Sequence, residues 1–186
     1  MTVAEPLTLR LDDAHWPKHL TVRLGEDARP ALHAIGPVSL LAAHKTAFFC
    51  SARCPGGVIL AAHDQAARWR DEGRCIIGGF HAPVEKECLH ILLRGRQPII
   101  ICLARGLEGM RPPAGWKESL ADNRLLVLSQ FPASERRITK GLAVRRNQLA
   151  AALADEVVFA HITPGGHLEE LSRLVARWCI PHWHIN

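Results

Sequence analysis

From Ala47 onward the chain alternates between short apolar runs and longer amphipathic periods, and that rhythm restricts the fold more than any single motif does. The runs are Ala47–Cys50, Arg74–Ile77, Pro98–Leu103, Arg124–Leu128 and Glu156–Ala160; the helical periods between and after them are Ile59–Arg70, Val84–Leu93, Leu142–Ala154 and Leu168–Trp178. Strands that are apolar at nearly every position must be covered on both faces, and the helices between them supply the cover. The predicted class is therefore α/β: an open, doubly wound, mostly parallel sheet with helices on both faces. A short run at Ile180–Ile185 is expected to add an edge strand.

Residues 1–46 are less regular. Leu7–Leu11 and Leu20–Leu24 both alternate apolar with polar residues, which predicts two half-buried strands, with Gly25-Glu26-Asp27 as a turn after the second. Gly36-Pro37 argues against one helix through Pro30–Lys45. The expected organisation is an N-terminal appendage or edge-covering segment over 1–35 and one domain over 36–186.

With 48% hydrophobic and 22% charged residues among 186, disorder is excluded. The formal charge of +5 and a pI near 9.1 favour anionic partners. Six cysteines, mostly inside apolar runs, and no secretory leader predict reduced thiols in a cytoplasmic protein. No run approaches the ~20 apolar residues that a spanning helix needs, so no membrane association is expected.

In sheets of this class ligands bind beyond the carboxyl ends of the strands. Those ends read Ser51-Ala52-Arg53, Gly78-Gly79-Phe80-His81, Ala104-Arg105-Gly106, Ser129-Gln130-Phe131 and His161-Ile162-Thr163-Pro164-Gly165-Gly166. Small residues, hydroxyls and arginines recur at them. The first end runs through Pro55-Gly56-Gly57 into a helix, a layout in which glycines let N–H groups approach an anion while Arg53 offers a bidentate fork. The expected phosphate contacts are Ser51, Arg53, Gly56, Gly78, Gly79, Phe80, Lys86, Arg105, Arg145, Arg146, Asn147, Thr163, Gly165 and Gly166.

If Ile138, Leu142, Leu149 and Leu153 share a helical face, Arg145 falls inside it and Arg146 at its margin. Burial there would leave an arginine without an evident carboxylate. The helix is therefore expected to start near Asn147 as N-cap, with both arginines facing the strand ends.

Neither a dinucleotide fingerprint nor a P-loop occurs, and no cofactor is expected. Cys179, His182 and His184 lack a fourth ligand, and no C-x-x-C pair exists, so they are read as an edge strand with Trp183 packed inward. Cys54, without a general base, is read as a small buried residue. Aromatic stacking residues near the strand ends are few: Phe80, Phe131 and Trp116.

The succession S-A-R-C-P-G-G, I-I-G-G-F-H-A-P-V-E-K-E-C-L-H, I-I-I-C-L-A-R-G-L, L-L-V-L-S-Q-F and R-R-N-Q-L-A-A-A-L-A-D-E-V-V-F-A-H resembles the Rossmann-like domain of the DprA (Smf) DNA-processing family over roughly residues 36–178. Ser51 and Arg53 match its G-S-R block, Gly78 and Gly79 its S-G block, Glu85 its acidic place, and Arg146 and Asn147 its R-N block. Gly78 stands where serine is usual, Ala82-Pro83 where Arg-Gly is usual, and Gln130 where glutamate is usual.

The resemblance implies a nucleotide- or single-stranded-DNA-binding protein, sequence-independent, a homodimer, and a part in DNA processing or recombination. The wider group includes the LOG phosphoribohydrolases, which suggests an alternative: hydrolysis of nucleoside monophosphates. Pro164-Gly165-Gly166 begins their P-G-G-x-G-T-x-x-E block, and Glu169 or Glu170 would have to serve as the catalytic carboxylate.

Overall fold

The computed structural model describes residues 6–25 and 31–185. Glu26 and Asp27 of the expected turn lie outside them. Eight strands form one sheet in the order β1-β2-β6-β5-β4-β3-β7-β8. The strands are β1 Leu7–Arg10, β2 Ala31–Ile35, β3 Lys45–Cys50, β4 Cys75–Gly78, β5 Ile99–Cys102, β6 Leu125–Ser129, β7 Glu156–His161 and β8 His182–His184. The helices are α1 Lys18–Leu24, α2 Gly56–Asp71, α3 Pro83–Leu93, α4 Lys117–Ala121, α5 Lys140–Leu153 and α6 His167–Arg177.

The strands from β3 to β8 run parallel, whereas β2 pairs antiparallel with both β1 and β6. Every residue of β3 is buried, and successive side chains go to opposite layers. Ala47 and Phe49 pack with Leu149 and Leu153 of α5 and Leu171 and Val175 of α6. Phe48 and Cys50 pack with Ala62, Ala66 and Trp69 of α2 and with Val84, Cys88 and Leu92 of α3. Burial on both faces is what makes these strands read as continuous apolar runs.

From β3 the chain steps through β4 and β5 to β6 in one direction. It then crosses on α5 to β7, on the other side of β3. The direction of winding thus reverses between β3 and β7, which is where such sheets open a crevice. There the register slips: Phe49 pairs with Phe159, but Cys50 pairs with His161.

At the amino end, β2 covers the edge that β6 would otherwise present, in the register His33 to Ser129 and Ile35 to Val127. Gly36 leaves β2 at φ 105°, and an added Cβ would collide with the Leu125 carbonyl, so only glycine fits.

The segment Leu20–Leu24 is a helix, not a strand. A strand would put Leu20, Val22 and Leu24 on one face, yet Leu20 is 1% exposed and Val22 is 84% exposed. Leu20 is the buried residue of α1, and Trp16, just before the Pro17 cap, is buried in the same core cluster. α1 docks through Arg23, whose Nη1 donates to Ala152 O at 2.8 Å and Ala154 O at 2.7 Å, carbonyls that the end of α5 leaves open. Replacing Arg23 with methionine is expected to cost about 1.5–3 kcal/mol, the range for hydrogen bonds made by a charged group. Urea denaturation measures it.

Candidate anion-binding cleft

A cleft of about 630 Å³ opens where the carboxyl ends of β3 and β7 part. Ser51, Arg53, Arg146, Asn147, Thr163 and Gly166 line it, together with His81, Glu85, Thr139 and Lys140. Six of the fourteen expected contacts therefore converge, drawn from segments more than a hundred residues apart.

Ser51 closes the crevice. Its N–H donates to His161 O and its Oγ accepts the Thr163 N–H, both at 2.9 Å, which ties the end of β3 to the loop after β7. Gly165 turns that loop at φ 72° and donates its N–H to Glu169 Oε2 at 2.6 Å, while the Gly166 N–H goes to Thr163 O.

Glu85 fixes the opposite wall. Located at the third position of α3, it accepts the Cys50 N–H at 3.0 Å, the His81 N–H at 2.8 Å and the Ala82 N–H at 3.2 Å. One buried carboxylate thus joins β3, the turn after β4 and the start of α3. Burial pushes Glu85 above the ordinary glutamate range, against the pull of those N–H bonds and of Arg146.

These pairings limit what the turns after β4 and β7 can offer an anion. The N–H groups of Cys50, His81, Ala82, Thr163, Gly165 and Gly166 are all taken within the protein. The cleft also offers side-chain donors.

Arg146 is foremost among them, and its placement differs from the expectation. α5 begins at Lys140, with Thr139 as N-cap accepting the Leu142 N–H at 3.2 Å, so Arg145 and Arg146 are mid-helix. Ile138 precedes the cap and is 51% exposed, so it had no place on the helical face. Without it, Leu142, Arg146, Leu149, Ala150 and Leu153 form the buried stripe at i, i+4, i+7, i+8 and i+11. Glu85 of α3, which the local sequence does not reveal, is the carboxylate whose charge acts on Arg146 through space, with no ion pair between the two.

Arg146 is 5% exposed; its Nε donates to Asn147 Oδ1 at 2.7 Å and its Nη1 to Cys102 O at 3.5 Å. Burial lowers its pKa and the Glu85 charge opposes that. Gly79 lies flat against the guanidinium: a Cβ there would occupy the position of Cζ and Nη1. Burial, Arg146 and Lys86 together hold the nearby His81 below the ordinary histidine value.

Arg53 and Lys140 are exposed at the mouth, and among the described residues neither has a carboxylate within ion-pair distance. Ile138, Ala143 and Leu168 add apolar side chains to the same lining.

The other expected residues do not line the cleft. Gly78 packs under Phe48 O and the Phe80 ring, and Phe80 is buried in the α2–α3 layer at φ 47°. Gly56 and Lys86 are exposed nearby, and Gly165 lies outside the lining. Arg105 leaves β5 on the far side, where its carbonyl accepts Ser129 Oγ–H. Arg145 lies over the Phe131 ring at 5.4 Å, beside Gln130, whose Nε2 donates to Arg145 O.

Phe80 and Phe131 are buried and Trp116 packs part-buried against the layer of α3, so none of the three lines the cleft. Glu169 bridges the Gly165 N–H and Arg173, and Glu170 faces a separate groove between α5 and α6, so neither carboxylate lines the cleft. In β8, Trp183 is partly exposed against Trp69, His184 stacks on Phe159, and His182 Nδ1 lies 3.0 Å from Ile180 O. Among the described residues no group of three or more His, Cys, Asp or Glu could hold a metal.

His81, Thr139, Lys140, Ile138 and Leu168 are cleft residues that the sequence reading did not select. A visible signal was Thr139, a hydroxyl cap just before Lys140 and the helical period.

The family model described as DNA recombination-mediator protein A matches residues 8–166. This chain belongs to that family. The matched span ends at Gly166 and takes in every cleft residue named above except Leu168. Among solved structures, the fold resembles DNA processing protein A (DprA) from Streptococcus pneumoniae, with 19% identity and a TM-score of 0.79 over 98% of this chain and 63% of that one. It also resembles DNA processing protein A from Helicobacter pylori, whose single-stranded DNA binding mode has been described, with 21% identity and a TM-score of 0.75 over 95% of this chain and 80% of that one. The chain thus spans under two thirds of the length of the Streptococcus pneumoniae relative. No curated protein matches it in sequence. Both likenesses confirm the Rossmann-like class, with β1 and β2 added as an antiparallel edge. No helix among the described residues is long and apolar enough to cross a membrane.

Proposed function

We propose that this family member binds single-stranded nucleic acid, DNA by kinship, through its phosphate backbone in the cleft between β3 and β7, without covalent chemistry. The observation that carries the reading is that one cleft is lined both by the cations Arg53, Lys140 and Arg146 and by the apolar side chains of Ile138, Ala143 and Leu168. The cations suit phosphate oxygens, Arg146 as a guanidinium already desolvated. The apolar residues of the lining suit the face of an unstacked base. Because base-edge donors are few, binding should be sequence-independent and dominated by counterion release. The Helicobacter pylori relative, described for its single-stranded DNA binding mode, supports the same choice of ligand.

Fluorescence anisotropy with a labelled oligonucleotide, titrated with salt, tests this. Arg53→Ala and Arg146→Ala are each expected to weaken binding about five- to tenfold and to lower the salt slope by about 0.7, the value for one phosphate contact on a single strand. Unchanged affinity and slope in both variants would refute the reading. The same proposal has the protein acting as a homodimer; light scattering that finds monomers at binding concentrations removes that part.

A further inference from the structure

His81 is a cleft residue to which the proposed function gives no task. It stands on the turn between β4 and α3 and reaches the same lining as Arg53, Lys140 and Arg146. Four successive residues of that turn are held in place. Gly79 lies flat against the Arg146 guanidinium, Phe80 takes φ 47° and packs in the α2–α3 layer, and the His81 and Ala82 N–H groups both go to Glu85 Oε2. The imidazole itself belongs to an exposed residue, and among the described residues it has no hydrogen-bond or ion-pair partner. A fixed turn thus presents a free ring to the cleft that three cations line.

We propose that His81 is a phosphate ligand of this cleft and that one proton enters with the nucleic acid, so that binding tightens as pH falls. The inference rests on the function proposed above and adds to that site a contact and a proton. Histidine titrates near neutral pH, so modest changes around the ring decide its charge. In the free cleft those surroundings are cationic: Arg53 from the turn after β3, Lys86 from α3, and Lys140 and Arg146 from α5. Glu85 of α3 is the carboxylate of the lining, and its two oxygens already accept N–H groups. The Cys50 thiol at the end of β3 is pushed up by burial and stays protonated. His167, the first residue of α6, is the second imidazole of the lining.

Such a setting opposes an imidazolium until an anion arrives. A phosphate supplies the opposite charge and accepts the ring N–H, which turns the protonated ring into a charge-assisted donor. The proton comes from solvent: neutral imidazole and one proton give imidazolium, and no bond of the ligand breaks. The ring's pKa is then higher in the complex than in the free cleft. The added affinity is fully present below the free value and is lost as pH rises through the bound one. Because burial, Arg146 and Lys86 hold the free ring below the ordinary histidine value of about 6.5, the gain develops on the acid side of neutrality.

Anisotropy with the labelled oligonucleotide, repeated between about pH 5.5 and 8.5 at constant ionic strength, reads this linkage. Wild-type affinity is expected to rise about five- to tenfold toward the acid end, within the limit of one proton per bound strand. Calorimetric titrations in two buffers of different ionisation enthalpy should count that proton. His81→Asn should show the weaker, high-pH affinity throughout, whereas His81→Lys, a permanent cation, should stay near the tighter, low-pH affinity throughout. His167→Asn should leave the pH dependence in place, since His167 sits where the cleft meets the groove between α5 and α6. Wild-type affinity that does not change with pH overturns the proposal. So does a dependence that survives His81→Asn, which would assign the proton to Glu85 or another group, or one that vanishes in His167→Asn instead. A wild type that binds no oligonucleotide at any pH defeats the proposed function. The ring is then read alone, by NMR titration of the His81 C–H signals with and without inorganic phosphate: a midpoint raised by phosphate upholds the contact, and an unmoved midpoint removes it.

Discussion

Glu85→Ala is expected to lower stability by about 3–5 kcal/mol, the scale of leaving several buried N–H groups without their acceptor at about 1–3 kcal/mol each. The loss has two sources. The N–H groups of Cys50, His81 and Ala82 lose their common acceptor, and buried N–H groups are expensive to leave unpaired. Arg146 also keeps its charge in a buried site without the carboxylate that offsets it. For a chain of this length such a loss lowers Tm by roughly 6–20 °C, which calorimetry reads directly. Glu85→Gln should cost less, because one oxygen still accepts while the amide nitrogen meets donors. It should also change the pH dependence. Glu85 has a raised native pKa, so its titration favours the native state fully below the ordinary value of about 4.3, and that contribution is lost as pH rises through the native value. The wild type should therefore lose stability relative to Glu85→Gln across that window. Parallel curves for the two proteins would show that Glu85 is not the buried acid described here.

Much of this fold was legible because burial on both faces leaves a simple imprint. In β3 all six residues are buried, and the runs that became β4, β5, β6 and β7 carry the same signature. The helix α1 was not legible, since five alternating residues satisfy a strand template, although only Leu20 of the helix is buried. The start of α5 was misplaced for a related reason: Ile138 was counted on an apolar face that begins only after the Thr139 cap. The site was half legible. Sequence order shows which residues stand at strand ends, and the family blocks pick out Ser51, Arg53, Arg146 and Asn147, but neither shows where backbone donors go. Ser51 Oγ takes the N–H of Thr163, 112 positions away, and Glu85 takes that of Cys50, 35 positions away. Such pairings decide whether a glycine-rich turn can face an anion, and only the assembled sheet shows them. Phe80 and Phe131 illustrate the same gap, being at strand ends yet turned into the protein.

Gly79→Ala is expected to weaken oligonucleotide binding at least tenfold and to lower stability by about 2–4 kcal/mol, the combined scale of overpacking and a disturbed buried charge. Nothing about the backbone of Gly79 demands glycine, since its φ is not in the left-handed region. The demand comes from Arg146, whose Cζ and Nη1 occupy the space a Cβ would need. A guanidinium normally swings aside cheaply, but here Asn147 Oδ1 and Cys102 O hold it and the surrounding core leaves the cleft as its exit. An arginine forced that way leaves Glu85 uncompensated and blocks the space the phosphate would fill. A double-mutant cycle separates this cause from general damage to the turn. With Arg146→Ala already in place, the clash is gone and Gly79→Ala should cost under about 1 kcal/mol, a coupling of the size seen for residues in direct contact. Additive effects of the two substitutions would mean that Gly79 serves the turn itself, and the contact between the second strand end and the buried arginine would lose its place in the account of the cleft.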